Sequence, residues 1–146
     1  MIDLYLMRHG QASFETETDF ERPLDRIGIE QVNSASQIFS YQPQKIIVSP
    51  YLRAQQTLQI FNEKRNIVVE QSKLVTPEAD IKSLIDFLTM REESSLMIIG
   101  HNPLLSYLAN MLTGQDQFAL GTASIVHLQG EIIASGCMTL KKEYNQ

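Results

Sequence analysis

The stretch Ile2-Asp3-Leu4-Tyr5-Leu6-Met7-Arg8-His9-Gly10 decides how the chain is read. Ile2, Leu4, Tyr5, Leu6 and Met7 form an apolar run interrupted only by Asp3, the pattern of a short buried strand. The run stops at a cation, an imidazole and a glycine. Gly10 permits a sharp turn with backbone close to a ligand, so Arg8 and His9 are expected at the strand's carboxyl end, where α/β folds bind ligands. Chance alone gives an Arg-His-Gly triplet in roughly one chain of this length in a hundred. Its weight therefore depends on what later segments bring to the same edge.

Working outward, residues 11–21 are polar and acidic, a loop whose charges read as solvated surface, ending in Arg22-Pro23-Leu24-Asp25. Asp25 is placed to cap a helix running from Arg26 to about Tyr41, with Val32, Ala35, Ile38 and Phe39 at helical spacing. Lys45 to Val48 is a β-branched run ending at Ser49-Pro50, a second strand. A helix from Tyr51 to about Lys64 follows, with Ala54, Leu58 and Phe61 on one face and Arg53 in its first turn. Ile67 to Val69 makes a third strand. Thr76-Pro77-Glu78 resembles the start of a third helix, whose stripe is Ile81, Leu84, Ile85 and Leu88.

Leu96 to Ile99 is a fourth strand, ending at Gly100-His101-Asn102-Pro103. The next helix carries Leu104, Leu105, Leu108, Met111 and Leu112, and Gly114 closes it. Two strand-like runs remain, 124–128 and 132–140, and the Gln129-Gly130-Glu131 break between them suggests a hairpin. His127 reads as a strand residue with one face exposed. Alternating strands and helices followed by a hairpin predict one domain over residues 1–146, a three-layer α/β/α sandwich with a mainly parallel central sheet.

With 146 residues, 43% hydrophobic and 20% charged, the chain can bury a core and shows no disordered or repetitive segment. A net charge of −5 argues against nucleic acid or an anionic membrane as the main partner. The N-terminal apolar run is too short to span a bilayer and lacks a basic start, so a cytoplasmic protein is expected. The lone Cys137 excludes an internal disulfide and is read as a buried structural thiol.

In a parallel sheet, Arg8-His9, Arg53 and His101 would all project from one edge. Two guanidiniums grip a phosphoryl group through paired hydrogen bonds, and two imidazoles suit nucleophilic and acid–base work. The turn before the fourth helix adds free backbone N–H groups that favour an anion. Together these describe a phosphate pocket with an internal nucleophile. No Asp/Glu/His cluster stands at metal-ligand spacing, so neither a metal nor another cofactor is expected.

Three ordered motifs, Arg8-His9-Gly10, the block from Ser49 to Thr57 (Ser-Pro-Tyr-Leu-Arg-Ala-Gln-Gln-Thr) and Gly100-His101-Asn102-Pro103, resemble those of the histidine phosphatase superfamily. Within it the resemblance is to the small SixA-type phosphohistidine phosphatases, on the short chain, Arg22-Pro23-Leu24 and the lack of a large helical insertion. The resemblance implies a phosphoglycerate mutase-like fold, minimal and without a helical lid, and an open pocket. It also implies metal-independent phosphoryl transfer through phosphohistidine on His9, with Arg8, Arg53 and His101 neutralising charge on the phosphoryl oxygens.

The resemblance leaves the general acid undefined. Glu78 and Asp80 are the candidates, although carboxylates at a helix N-terminus are also favoured by its dipole. Imidazole has a reference pKa near 6.5 and departs more easily than an alkoxide, so a weak acid favours phosphohistidine over a sugar phosphate. Arg22 stands either at the pocket or in a loop salt bridge. Asn102 either binds phosphate or caps the helix, and Gln56 and Thr57 are read as holding the second helix in place. A phosphorylated protein, a small phosphate ester, or phosphoryl binding without turnover are the readings carried forward.

Overall fold

The computed structural model describes residues 1–145. The N-terminal run forms β1 (Ile2–Arg8), followed by α1 (Arg26–Ile38), β2 (Lys45–Val48), α2 (Leu52–Asn62), β3 (Val68–Gln71), α3 (Ile81–Thr89), β4 (Ser95–Gly100), α4 (Leu104–Thr113), β5 (Ile125–Gly130) and β6 (Thr139–Tyr144). The strands make a six-stranded sheet in the order β3-β2-β4-β1-β5-β6. β1, β2, β3 and β4 pair in parallel, while β5 runs antiparallel to both β1 and β6. Five strands thus share one direction and β5 alone opposes them.

Alternation along the strands sorts two cores, one on each face of the sheet. Leu4, Leu6, Ile47, Leu96 and Ile98 pack with Leu84 and Leu88 of α3 and Leu105, Leu108 and Leu112 of α4. Tyr5, Met7, Ile46, Val48, Met97 and Ile99 pack with Val32 and Ala35 of α1 and Ala54 and Phe61 of α2. The three-layer sandwich is therefore present. β1, β2 and β4 lie side by side at its centre, so their carboxyl ends open on one edge.

Several local readings are corrected. α1 stops at Ile38, where the chain turns extended at Phe39; Phe39 is then buried and Ile38 stays half exposed. α3 starts at Ile81, not around Pro77, because the Asp80 carboxylate accepts the Ser83 N–H at 2.9 Å as its N-cap. The apolar run 132–138 is packed rather than paired. Gly136 and Met138 donate their N–H groups to Met111 and Leu112 carbonyls at the end of α4, with Ile133 and Met138 buried there. β6 begins only at Thr139, so the β5–β6 connection is long. Cys137 is exposed, not buried. His127 is buried, with Nε2 2.7 Å from Asp3 Oδ1 and its ring stacked on Tyr5.

Candidate active site

The sheet's hydrogen-bond ladder continues past the strand ends and sets the site's backbone. His9 N–H donates to Gly100 O at 3.0 Å, Ala123 N–H to His9 O at 3.0 Å, and Ser49 N–H to Ile99 O at 3.1 Å. His9, Ser49 and the Gly100-His101 turn are thereby held abreast. Gly10 is needed for a reason other than a ligand. A Cβ there would stand 2.7 Å from Gly28 O and 2.9 Å from Val32 Cγ2, and a Cβ on Gly28 only 2.0 Å from Gln11 O. The first turns of α1 therefore lie against the segment that follows His9. Thr57 ties the second motif to the first, its Oγ1 accepting from Gly10 N–H at 3.1 Å and donating to Arg53 O at 2.8 Å.

Onto this frame the fold brings four side chains from three segments. The His9 and His101 ring centroids are 5.1 Å apart, and Arg53 Nε donates to His9 Nε2 at 3.2 Å. His9 Nδ1 lies 2.6 Å from Gly10 O. A carbonyl only accepts, so Nδ1 carries the proton and Nε2 keeps its lone pair. Arg8 donates from one terminal nitrogen to Leu120 O at 3.0 Å. His101 Nε2 is 2.7 Å from Ser49 Oγ. Among the described residues, two buried side-chain polar atoms lack a partner, Arg8 Nε and His101 Nδ1, and both belong to this cluster. Leaving buried polar atoms unpaired costs about 1–3 kcal/mol each, a cost that a hydrogen-bonding group entering the cluster would offset.

Both imidazoles are held neutral. Burial pushes His9 from 6.5 down to about 4; the Gly10 carbonyl works the other way, and Arg53, Arg8 and Arg22 add to burial. His101 falls to about 2, by burial first and then by His9, Arg53 and Arg8. A neutral His9 with Nε2 unprotonated has the state a nucleophile needs at neutral pH.

The remaining residues stand around this cluster. Arg22 donates to Ser13 O at 2.8 Å and to Asp19 Oδ1 at 3.2 Å, with its guanidinium over the Phe14 ring. It is a loop brace whose charge also acts on His9. The Asn102 amide donates to Leu120 O at 2.7 Å, the carbonyl that Arg8 also uses, and Asn102 Oδ1 accepts from Ser106 Oγ. Asp80 is occupied capping α3, while Glu78 accepts the Tyr51 hydroxyl at 3.1 Å. Tyr51 in turn stands edge-on to His101 and beneath the Arg53 guanidinium.

The carboxylate that reaches the cluster is Asp19, from the segment read as solvated surface. Arg53 donates to Asp19 O at 2.7 Å and to Asp19 Oδ2 at 3.3 Å. Burial raises the Asp19 carboxyl, but the Arg22 hydrogen bond and the Arg53 charge outweigh it and hold the group below the usual carboxylate range. Nothing in the sequence distinguishes Asp19 from its acidic neighbours. Ser49 and Thr57 were legible as the two ends of the second motif, and Thr57 as a brace of the second helix, but their contacts with His101 and Gly10 were not.

The model of the histidine phosphatase superfamily (branch 1) matches residues 4–75, which hold Arg8, His9 and Arg53. The phosphohistidine phosphatase SixA of Escherichia coli (strain K12) is 29% identical over 133 residues, covering 85% of this chain and 83% of that protein. A solved structure of the protein histidine phosphatase SixA complexed with tungstate superposes with a TM-score of 0.86 at 26% identity, covering 99% of this chain and 97% of that one. The chain belongs to the histidine phosphatase superfamily. A SixA homolog of Haemophilus influenzae (strain ATCC 51907 / DSM 11121 / KW20 / Rd) is 27% identical over 129 residues, 78% of this chain and 79% of that protein.

As a superfamily member the chain has the phosphoglycerate mutase-like α/β fold, and among the described residues no inserted helix stands over the site. Among those residues, no group of three or more His, Cys, Asp or Glu could hold a metal ion, and no helix is long and apolar enough to cross a membrane.

Proposed function

We propose that residues 1–146 form one phosphatase domain that works through phosphohistidine on His9, and that its substrate is phosphohistidine on another protein. The observation that carries the proposal is the His9 ring. Its Nδ1–H is anchored on Gly10 O while Nε2 faces the Arg53 guanidinium, next to His101 and Arg8. When a phosphoryl group enters, Arg53 turns its donors from His9 and Asp19 to the phosphoryl oxygens, and Arg8 and His101 supply the others. Asn102 shares with Arg8 the Leu120 carbonyl that fixes the guanidinium.

His9 Nε2 then attacks phosphorus in line. The new N–P bond forms as the bond to the leaving group breaks, and the imidazole's developing positive charge is shared with Gly10 O through Nδ1–H. Water attacks the phosphoenzyme in the second step, releasing orthophosphate and restoring neutral His9. Catalysis is positioning and electrostatics, the usual demand of phosphoryl transfer. Charge neutralisation is assigned to the Arg8 and Arg53 guanidiniums, with neutral His101 adding a hydrogen bond and no metal ion taking part.

The carboxylates support the substrate class. Asp19 and Asp80 are held ionised, Asp80 by the Ser83 N–H, and Glu78 is engaged by Tyr51. Asp19 and Asp80 are thus not poised to protonate an alkoxide, whereas a phosphohistidine whose second ring nitrogen carries a proton releases neutral imidazole without an acid. The phosphohistidine phosphatases among the relatives point the same way. The test compares turnover of a phosphohistidine protein with that of sugar and aryl phosphates. Preference for the protein supports the proposal, and preference for esters moves the chain to small-molecule substrates. Acid-labile, base-stable phosphate on trapped enzyme, absent in His9→Ala, marks the nucleophile; a label that persists in the variant removes His9 from that role.

A further inference from the structure

Ser49 is fully buried at the carboxyl end of β2, and its hydroxyl has two partners. Tyr51 N–H donates to Ser49 Oγ at 3.2 Å, and His101 Nε2 lies 2.7 Å away. The Tyr51 contact occupies one oxygen lone pair, so the remaining question is which group supplies the hydrogen toward His101. If Nε2–H donated, the Ser49 hydroxyl hydrogen would have no acceptor and Nδ1 would be a buried, unpaired lone pair. If Ser49 donates, its bonding is complete and the imidazole proton sits on Nδ1, which has no protein partner. The second arrangement leaves one fewer buried polar group unsatisfied. We propose that Ser49 is a positioning residue that fixes His101 as the Nδ1–H tautomer, so that His101 meets the phosphoryl group as a neutral hydrogen-bond donor.

The groups facing His101 support this state from each side. Arg8 and His9 come from the end of β1, Arg53 from α2, and the Tyr51 ring stands edge-on at 5.1 Å. Among the described residues no carboxylate bonds to His101, so nothing there favours an imidazolium. A donor N–H held toward developing oxyanion charge strengthens in the transition state. An imidazole free to flip its proton to Nε2 would instead present a lone pair to the phosphoryl oxygens, and that repels. The role thus rests on the phosphatase reading, whereas the tautomer itself does not.

The experiment has two arms. Long-range ¹H–¹⁵N spectra of histidine-labelled protein should show His101 protonated at Nδ1 with Nε2 bare at pH 7, and Ser49→Ala should abolish that fixed state while circular dichroism stays native. In turnover assays, Ser49→Ala should lower kcat about tenfold, the scale of one hydrogen bond to a charged group, with little change in KM. The same substitution in a His101→Ala background should cost nothing further. A wild-type His101 protonated at Nε2 overturns the proposal, as does an equal loss in both backgrounds, which marks Ser49 as merely structural. If the spectra behave as expected but no phosphate substrate turns over, the phosphatase reading fails and the tautomer assignment stands.

Discussion

Asp19 is the perturbation whose consequence follows most directly from the geometry. Arg53 spends one donor on His9 Nε2 and two on Asp19, through its carbonyl at 2.7 Å and its carboxylate at 3.3 Å. A phosphate dianion that needs this guanidinium must therefore displace the carboxylate. Two unit charges at that separation interact by about 1.3 kcal/mol in a water-like medium. The water limit is the smallest value for this pair, since Arg53 is only 5% exposed while Asp19 is 56% exposed. Solvent around the carboxylate keeps the interaction near the roughly 1 kcal/mol of exposed pairs. Asp19→Ala removes this competitor but keeps the carbonyl that anchors Arg53. The inhibition constant of orthophosphate, measured against hydrolysis of an aryl phosphate at low ionic strength, should fall about fivefold. The gain should shrink as salt is added. An unchanged or weakened inhibition constant would refute the reasoning, since Asp19 would then be an aid to Arg53 and not its rival.

Stability should fall as pH drops from about 6.5 toward 4. His9 and His101 have folded pKa values near 4 and 2, below the unfolded value of 6.5, so the unfolded chain binds more protons in that window. Their contribution is complete above pH 6.5, and thermal melts of His9→Ala and His101→Ala should each show a shallower acid slope than wild type. Gly28→Ala should destabilise by about 3 kcal/mol, the upper range of overpacking, because the new Cβ would meet Gln11 O at 2.0 Å; urea denaturation measures it. Prolonged dialysis against a chelator should leave turnover unchanged if Arg8 and Arg53 neutralise the charge, and a loss restored by a divalent cation would contradict that assignment.

Much of the fold was legible because its signals are local. Apolar runs ending in Arg8-His9, Ser49 and Gly100-His101 are short-range patterns, and the helical stripes of α3 and α4 need only a period of 3.6 residues. The reading failed where apolar character served packing instead of pairing. Residues 132–138 looked like a strand because Ile133 and Met138 are apolar, yet both are buried in the core beside α4. Gly10 was legible as a required glycine, but its reason, the approach of α1 through Gly28, is a contact between segments 18 residues apart in number.

By itself the sequence determined the strand-and-helix order, most of the apolar stripe of each helix, though not the exposure of Ile38 and Met111, and the four cationic or imidazole groups at or just beyond the strand ends. Only the tertiary structure decided what those groups touch: which His9 nitrogen carries the proton, that Ser49 meets His101, and that Asp19 engages Arg53. The physical reason is range. Secondary structure follows from neighbours along the chain, whereas protonation state and hydrogen-bond partnership depend on burial and on charges that distant segments bring within a few ångströms.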